Sequence, residues 1–377
     1  MGVSAEAIEQ ALAASWQRTG VPGLVAMIRH GGGETQTVSL GRRSVDNPAQ
    51  MSADTVFWIA SFTKLVTSVV ALQLIEEGRL SLDQPVADLR PDLASLPVLA
   101  GFDDGGHPRL RPAGDTPTIR HLLTHTSGLG YAFMDPALRR YAAQEGIGPD
   151  RSHLLPRRFA AGGGWLYGAS TDWLGAVIET VCGEGLDQVF QRRVCKPLGM
   201  VDTICVRSAD QLARAAAVHA RTPEGSCVVI DFALPPPPNF NIGGGGLYST
   251  AADFLRLLSA LLDREILSDA SRAALFENQV GDCEAGVIVS SDPALSRDYD
   301  PLPGAPKRWS LGLLINPEPV VGGRSAGSGA WAGLANCYYW IDPASRIAGV
   351  LMTQILPFAD PEVLSLLAAL ERAAYAS

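Results

Sequence analysis

The sequence predicts an α+β fold, an α/β sandwich whose central antiparallel sheet is flanked by helices and joined by a mainly helical subdomain. Two strand-like runs near the start, residues 23–28 and 35–40, are separated by Gly31-Gly32-Gly33, and such a hairpin pairs its strands antiparallel. Strand-like runs return only in the last third of the chain, whereas the middle has helical segments. This order predicts a sheet assembled from both chain ends, with helical chain inserted between them.

The predicted division assigns residues 1–85 and 241–377 to an α/β subdomain that contains the sheet. Residues 86–240 form the predicted helical subdomain, and we expect the active site in the cleft between the two. The chain is expected to leave the sheet in residues 81–118, because this stretch is rich in Pro, Gly and Asp and its apolar residues show no clear period.

The helices are predicted from apolar periodicity and from their end signals. Ser4 is the expected cap of the first helix, Ser170 of a central one, and Thr250 of a third, where Asp253 follows in the manner of a capping box. The predicted helices cover residues 4–19, 62–77, 119–124, 171–182, 186–194 and 251–263, and a terminal helix begins at 360–361, where Asp precedes Pro. The later predicted strands are residues 309–315, 338–341 and 347–353, and a loop region with Pro235–Pro238 and Gly243–Gly246 precedes them.

Composition and charge argue against several functional classes. The 377 residues carry 39 acidic and 30 basic side chains, a formal charge of −9, without the basic run that a nucleic-acid backbone requires. The most apolar helical segment, residues 65–75, is too short to span a bilayer, and no signal-peptide pattern is visible at the start. The six cysteines are scattered without a Cys-x-x-Cys pair, which disfavours a disulfide framework or a zinc site. We therefore expect a soluble, cytoplasmic protein with no nucleic-acid or membrane partner.

The pair Ser61 and Lys64 is the sharpest candidate for chemistry, since only three of the 30 basic residues are lysines. The two residues are three apart at a predicted helix start, so the hydroxyl and the amine share one face. A seryl hydroxyl becomes a nucleophile when a neighbour accepts its proton, and a lysine can do so when its charged form is disfavoured. The alternative is a chance occurrence of this spacing.

Other motifs fit their chemistry less well. Gly323–Gly327 matches the G-x-S-x-G elbow, but no histidine follows it and its flanks lack helical period. His121 and His125 are spaced as a metal-binding pair without the intervening Glu or an obvious third ligand, so packing or loop hydrogen bonding is favoured. The glycine runs 162–164 and 243–246 lack a phosphate-binding lysine and predict loops close to a cleft.

Tyr167 is a further candidate because it lies on a loop just ahead of a predicted helix, between Gly162–Gly164 and Ser170. Functional side chains are often placed on such loops. Taken alone, however, a tyrosine is more often structural.

Taken together, the motifs resemble those of serine β-lactamase-like hydrolases. They occur in the family's order: Ser61-x-x-Lys64, Leu-Leu-Thr-His-Thr-Ser-Gly-Leu at 122–129, Trp165-Leu166-Tyr167-Gly168, residues 243–248, and Trp331-Ala332-Gly333. The likeness is greatest to the family VIII carboxylesterases, which share a fold with class C β-lactamases and DD-peptidases. The resemblance spans nearly the whole chain and implies a serine β-lactamase/DD-peptidase-like fold.

The resemblance implies a two-step acyl transfer without a metal or organic cofactor. Ser61 would attack the carbonyl carbon, and Lys64 and Tyr167 would share the work of general base and acid. The backbone N–H groups of Ser61 and Leu334 would hold the oxyanion. Water, activated by the same groups, would release the acid.

Two departures from the β-lactamase pattern guide the prediction of the substrate. Class C enzymes carry Asn two residues after the tyrosine, where this chain has Ala169, and their Lys-Thr-Gly motif is replaced here by Trp331-Ala332-Gly333. Losing the lysine removes a cation suited to a lactam carboxylate, and Trp331 adds an apolar wall. We therefore predict that these four residues line a pocket for neutral esters, with Arg324 as a replacement cation for lactams.

The resulting prediction is a serine carboxylesterase that hydrolyses small or short-acyl esters through an acyl-enzyme on Ser61. One alternative is an acyltransferase that uses the same acyl-enzyme, and another is a β-lactamase or D-aminopeptidase-type amide hydrolase. An inactive binding protein on this fold is disfavoured, because a scaffold without activity need not keep Ser61, Lys64 and Tyr167 together. The natural ester, its acyl length and the oligomeric state stay open.

Overall fold

The computed structural model describes residues 5–234, 239–240 and 242–376. The predicted Ser4 cap and the loop at 235–238 lie outside the described residues. Within these ranges, no helix is long and apolar enough to cross a membrane.

The strands and helices have the following bounds. The strands are β1 (Gly23–Arg29), β2 (Thr35–Ser44), β3 (Asn47–Gln50), β4 (Phe57–Trp58), β5 (Val98–Phe102), β6 (Pro108–Arg111), β7 (His219–Arg221), β8 (Cys227–Val229), β9 (Tyr248–Ser249), β10 (Arg308–Trp309), β11 (Leu314–Asn316), β12 (Ser328–Gly333), β13 (Cys337–Asp342), β14 (Ile347–Met352) and β15 (Ile355–Leu356). The α-helices are α1 (Ala5–Trp16), α2 (Thr63–Glu76), α3 (Pro91–Ala94), α4 (Ile119–Leu123), α5 (Pro136–Glu145), α6 (Ser170–Cys182), α7 (Leu186–Phe190), α8 (Ala209–Ala213), α9 (Ile242–Gly245), α10 (Ala251–Asp263), α11 (Asp269–Phe276) and α12 (Pro361–Tyr375).

The main sheet has eight strands in the order β10-β11-β12-β13-β14-β1-β2-β3, and every neighbouring pair is antiparallel. The two chain ends meet where β1 pairs with β14, with Val25 opposite Met352 and Arg29 opposite Ala348. Every residue of β1, β12, β13 and β14 is buried, which explains why apolar residues follow one another in these strands without regular alternation with polar ones. Helices α1 and α12 pack on each other and on this sheet. Helix α10 packs on the sheet as well, against β1 and β14. The predicted antiparallel sheet with flanking helices is therefore confirmed.

Several predicted elements differ in detail. The run 309–315 forms two short strands, β10 and β11, because a turn at Ser310–Leu313 contains Gly312 with φ +138°. Ser170 does not cap α6 but is its first residue, since its buried hydroxyl pairs with that of Ser127 at 2.8 Å. The stretch 81–118, which shows no period, contains α3 and the β5–β6 hairpin.

The predicted division at residues 85/86 and 240/241 stays a prediction. The structure shows that both ends of the chain supply the main sheet and that α4 to α8 come from the middle of the chain. The middle of the chain also contributes the β7–β8 hairpin, and β7 pairs in parallel with β15.

Two predicted helix caps are confirmed. The Thr250 hydroxyl accepts a hydrogen bond from the Asp253 backbone at the start of α10. The Asp360 carboxylate accepts from the backbone N–H groups of Glu362 and Val363 at the start of α12. Asp360 is fully buried and also binds the guanidinium of Arg221, so one carboxylate ties the last helix to β7.

We predict that Asp360→Ala lowers the free energy of unfolding by about 3 to 5 kcal/mol, because it leaves the Arg221 charge buried without its partner and also removes the cap. Urea unfolding followed by circular dichroism measures the change. The matched control is Glu77→Ala, which breaks a partly exposed ion pair with Arg193 and should cost about 1 kcal/mol or less. Equal losses in the two variants would contradict the prediction.

Candidate active site

Ser61 lies in a tight turn between β4 and α2. The turn is a 3-10 helix at Ala60–Phe62, and Ala60 adopts the left-handed conformation with φ +44°, an unfavourable backbone for a residue with a side chain. The Thr63 hydroxyl holds the turn by donating to the Ala60 carbonyl at 2.6 Å while accepting from the Leu247 backbone at 3.2 Å. The sequence predicts this junction between strand and helix. The structure shows that the unfavourable conformation of Ala60 is held in place by Thr63, which is itself bonded to Leu247, a residue far away in the sequence.

Lys64 lies one helical turn after Ser61, and its side chain is buried, with 2% exposed. Its Nζ is 3.2 Å from Ser61 Oγ, 3.1 Å from the Tyr131 hydroxyl and 2.8 Å from the Gly244 carbonyl oxygen. The spacing of three residues therefore brings amine and hydroxyl together as predicted. Nζ also faces two aromatic rings, at 4.9 Å from the centre of Tyr167 and 5.2 Å from that of Tyr131.

Tyr167 lies on the segment before α6, packed beside Lys64. Its hydroxyl oxygen accepts a hydrogen bond of 2.9 Å from the indole Nε1 of Trp331, and both side chains are buried. An N–H donor aimed at a phenolic oxygen stabilises negative charge there. Trp331, predicted as an apolar wall, therefore also supplies a polar contact to Tyr167.

Tyr131 and Asp172 join this cluster without having been predicted. The Tyr131 hydroxyl donates to Asp172 Oδ2 at 2.6 Å, and the Gly244 backbone N–H donates to Asp172 Oδ1 at 2.9 Å. Burial and the neighbouring Asp172 raise the pKa of Tyr131 well above its usual value, which keeps it a neutral phenol. Tyr131 follows the 122–129 motif by two residues, and that proximity is the only signal for it in the sequence.

The sequence pattern suggests a different environment for Asp172. An acidic residue in the first turn of a helix is typical of a solvent-facing side chain that interacts with the helix dipole. Asp172 is instead 1% exposed. Burial raises its pKa, whereas the Lys64 charge and its hydrogen bonds to Tyr131 and Gly244 act to lower it.

The two histidines do not form a metal pair. His121 Nδ1 accepts from the Thr118 backbone and so completes the cap of α4. His125 is buried beside Tyr167, and its ring centre is 4.9 Å from that of the tyrosine. In the part of the chain that the structure describes, no group of three or more residues could hold a metal ion.

A cavity of about 600 Å³ opens beside Ser61. Its wall includes Tyr131, Tyr167 and Asp172, and most of the remaining lining is apolar. Trp331, Ala332, Gly333 and Leu334 line it as well, at the end of β12.

Ala169 is predicted to line the pocket, and this stays a prediction. It is buried at the start of α6, where its carbonyl accepts from the Trp173 backbone and its side chain packs into the core.

The end of β12 approaches the Ser61 turn closely. A Cβ atom on Gly333 would lie 2.5 Å from the carbonyl oxygen of Ile59, so only glycine permits this approach. Leu334 follows directly and lines the cavity with Ser61. This arrangement is compatible with the predicted use of both backbone N–H groups, which stays a prediction.

The loop between β11 and β12 contains Arg324, considered as a replacement cation, and the G-x-S-x-G match around Ser325; the structure supports neither role. Arg324 is 6% exposed and pairs with Glu371 of α12 at 3.5 Å, so it does not supply a cation to the cavity. Ser325 pairs with the Ser345 hydroxyl at 2.9 Å, and no strand-turn-helix elbow surrounds it. The loop instead anchors α12 to the sheet.

Residues 8–373 match the model of the Beta-lactamase family. The chain belongs to this family. A monacolin J acid methylbutanoyltransferase from Aspergillus terreus is 34% identical over 381 residues, covering 94% of this chain and 92% of that protein. A lovastatin esterase from Penicillium rubens is 33% identical over 327 residues, covering 81% of each chain.

Solved structures agree with the fold. Unliganded simvastatin synthase (LovD) from Aspergillus terreus superposes with a TM-score of 0.82 at 31% identity, covering 98% of this chain and 97% of that one. EstCE1, described as a hydrolase with promiscuous acyltransferase activity, has a TM-score of 0.78 over 97% of this chain and 99% of its own. Its identity of 21% supports the fold alone. The family and the relatives above 30% identity place the chain among serine acyl-transferring enzymes.

We predict that Trp331→Phe reduces the rate of ester cleavage about tenfold, because Phe keeps the aromatic wall but removes the N–H donor to Tyr167, a loss of about 1.5 kcal/mol. Initial rates with p-nitrophenyl butyrate measure the change. The matched control is Trp309→Phe, since the Trp309 indole donates to the Leu123 carbonyl instead, although its ring packs on that of Trp331. A larger loss in the control would contradict the prediction.

We predict that acid destabilises the protein in part through His125. Burial, and to a lesser extent the Lys64 charge, lowers the pKa of His125 well below its usual value, so the folded state keeps the ring neutral. The unfolded chain takes up a proton below about pH 6.5, and the free energy of unfolding therefore falls as the pH drops through that value.

The variant His125→Asn removes this contribution, and Asn tolerates the local φ of +57°. Urea unfolding at about pH 8 and about pH 5 should show a smaller acid-induced loss than in the parent protein. His121 and His219, whose pKa values burial also lowers, account for part of the remaining slope. An undiminished loss in the variant would disprove the assignment to His125.

Proposed function

We propose that this enzyme is a serine acyltransferase that moves an acyl group through Ser61 to a hydroxyl group of a bulky apolar acceptor. Hydrolysis of the acyl-enzyme is the competing reaction. The sequence alone favours an esterase and gives the acyltransferase as an alternative, so this proposal differs from the prediction made from the sequence.

The cavity carries the proposal. A short acyl group occupies only a small part of about 600 Å³, and apolar side chains from several segments line the remainder, among them Phe133, Phe232, Ile288 and Phe358. Apolar walls bind an apolar molecule and exclude the water that would otherwise attack the ester of Ser61. A second, bulky substrate therefore suits this site better than a short ester alone.

The relatives support the same reading. Besides the methylbutanoyltransferase, an acyltransferase from Penicillium decumbens is 32% identical over 82% of this chain. For this chain, we infer an acceptor of the kind named for the methylbutanoyltransferase, monacolin J acid.

The residues divide the work as follows. Ser61 Oγ forms a bond to the acyl carbon while its proton passes to the deprotonated member of the pair Lys64 and Tyr167, and the departing oxygen or sulfur takes that proton when its bond to the acyl carbon breaks. In the second half, the acceptor hydroxyl attacks the same carbon, and its proton returns to Ser61 Oγ by the same route. The backbone N–H groups of Ser61 and Leu334 stabilise the oxyanion in both halves.

Ester hydrolysis is the second candidate, and the lovastatin esterase favours it, since that relative is 33% identical over 81% of the chain. The same acyl-enzyme serves both reactions. The choice depends on whether water or an alcohol reaches the acyl carbon first.

Intact-protein mass spectrometry with p-nitrophenyl butyrate tests the proposal. We predict one butyryl group on Ser61, and faster p-nitrophenol release together with an ester product when monacolin J acid is added. Ser61→Ala should abolish labelling and turnover, whereas Ser325→Ala, in the unused G-x-S-x-G match, should retain both.

Labelling that persists in Ser61→Ala would disprove the assigned nucleophile. If butyryl-Ser61 forms but yields only butyrate with every bulky alcohol supplied, the transferase proposal is wrong and the esterase reading stands.

A further inference from the structure

The cavity beside Ser61 has very few charged groups in its wall. Among its described lining residues, Asp172 and Asp292 are acidic, and Arg139 is the single basic one. Asp172 is buried against Tyr131 and Gly244, whereas the Arg139 side chain is 47% exposed. Arg139 therefore lies where the cavity opens to solvent, and it is the one described lining residue that attracts an anion.

Arg139 belongs to α5 and is held by the loop between α11 and β10. Its Nη1 donates to the Ser291 carbonyl oxygen and pairs with Asp292 Oδ2 at 3.2 Å. This loop is itself fixed to the segment before α5, because the Ser291 backbone N–H donates to the Phe133 carbonyl at 3.0 Å and the Ser291 hydroxyl donates to the Ala132 carbonyl at 2.7 Å. The position of the guanidinium is thus set before a ligand enters.

The other edge of the Arg139 guanidinium is free for a ligand. Within the described residues, neither Nε nor Nη2 of Arg139 has a hydrogen-bond partner. These two nitrogens present parallel N–H bonds whose spacing matches the two oxygens of a carboxylate. Asp292 therefore orients the guanidinium and leaves this pair of donors unoccupied.

The acceptor proposed above is an acid, and the present inference rests on that proposal. A bound acid brings its carboxylate into a cavity whose described wall is otherwise mostly apolar. Apolar walls offer a carboxylate no hydrogen bonds, and the Asp172 charge near Ser61 repels it. Only toward Arg139 does the carboxylate meet an opposite charge, so the acid binds with its hydroxyl group toward Ser61 and its carboxylate toward the opening.

We propose that Arg139 is a specificity-determining residue that binds the carboxylate of the acyl acceptor through Nε and Nη2, while Asp292 and Ser291 hold the guanidinium in place. The acceptor class is then a bulky hydroxy acid and not a neutral alcohol. Binding at the opening also fixes which end of the acceptor reaches the acyl carbon on Ser61.

Titration calorimetry on the full-length Ser61→Ala protein measures acceptor binding without turnover. The probes are monacolin J acid and its methyl ester, which differ in the charge of the carboxyl group. We expect the acid to bind about tenfold more tightly than the ester, because two charge-assisted hydrogen bonds form only with the carboxylate. Since Arg139 is half exposed, this preference should shrink when the salt concentration rises from about 50 mM to about 500 mM.

Arg139→Gln in the same protein tests the residue. It should weaken binding of the acid about tenfold and change binding of the methyl ester about twofold or less, since only the acid loses a charged partner. Arg139→Lys keeps the charge but lacks the planar pair of donors, so it should retain part of the preference for the acid.

Arg140→Gln is the matched control. Arg140 is the next residue of α5, but its Nη2 donates to the Gly106 carbonyl at 2.9 Å and its guanidinium lies 4.0 Å from the centre of the Phe102 ring. It is not among the described residues that line the cavity. This control should leave the affinities for both compounds in place.

Asp292→Asn separates carboxylate binding from a structural role. The variant keeps the size of the side chain and removes the charge that partly neutralises Arg139, so the acid should bind about threefold more tightly and the ester as before. If Arg139 and Asp292 serve only to hold the loop in place, both variants should instead weaken the acid and the ester alike.

Equal losses for acid and ester in Arg139→Gln would overturn this inference alone. So would equal affinities for the two compounds in the Ser61→Ala protein, or an effect that Arg140→Gln reproduces. Failure of both compounds to bind would overturn the proposed acceptor together with the inference. Because binding is measured without an acyl group, an enzyme that only hydrolyses butyryl-Ser61 would disprove the transferase proposal and leave the outcome for Arg139 to calorimetry.

Discussion

The burial of the Lys64 amine is the constraint on which the site depends. A charged or strongly polar group with 2% exposure destabilises the fold unless its hydrogens are paired. The partners come from three separate parts of the chain: the turn before α2, the segment after α4, and α9. Burying this amine therefore requires three segments that are far apart in the sequence to meet around it.

The same requirement explains the close backbone packing around the cluster. A Cβ on Gly244 would lie 2.5 Å from Asp172 Oδ1, and a Cβ on Gly243 would lie 2.5 Å from the Thr171 carbonyl. The glycine run 243–246 thus brings a carbonyl to Lys64 and an N–H to Asp172 at once. The sequence predicts a loop close to a cleft there. Gly244, Gly245 and Gly246 do line the cavity, but Ile242–Gly245 form the short helix α9, whose backbone contacts both Lys64 and Asp172.

Trp331 shows how one substitution in a motif changes both recognition and chemistry. The resemblance implies that a lysine stands at this position in β-lactamases, where it suits a carboxylate. Here the indole keeps an N–H donor for Tyr167 but carries no charge, and its ring joins the apolar wall of the cavity. The Arg324 side chain does not restore the charge, because Glu371 holds it in a buried pair.

Sequence reasoning found those parts of the site that short-range patterns encode. Ser61 and Lys64 share a helical face because their spacing is three, and Tyr167 was found through the order of motifs along the chain. Tyr131 was missed because its partner Lys64 is 67 residues away, and no local pattern marks that contact.

The sequence by itself determined the fold, since runs of buried strands and helix end signals depend on local periodicity and local hydrogen bonds. It also determined the catalytic candidates that a single turn of helix brings together. Only the tertiary structure decided the surroundings of these groups, including the size of the cavity, the burial of Asp172 and the direction of the Tyr131 hydroxyl. Those properties arise from contacts between segments far apart in the chain, and charge and solvation at a site depend on such contacts rather than on neighbours in sequence.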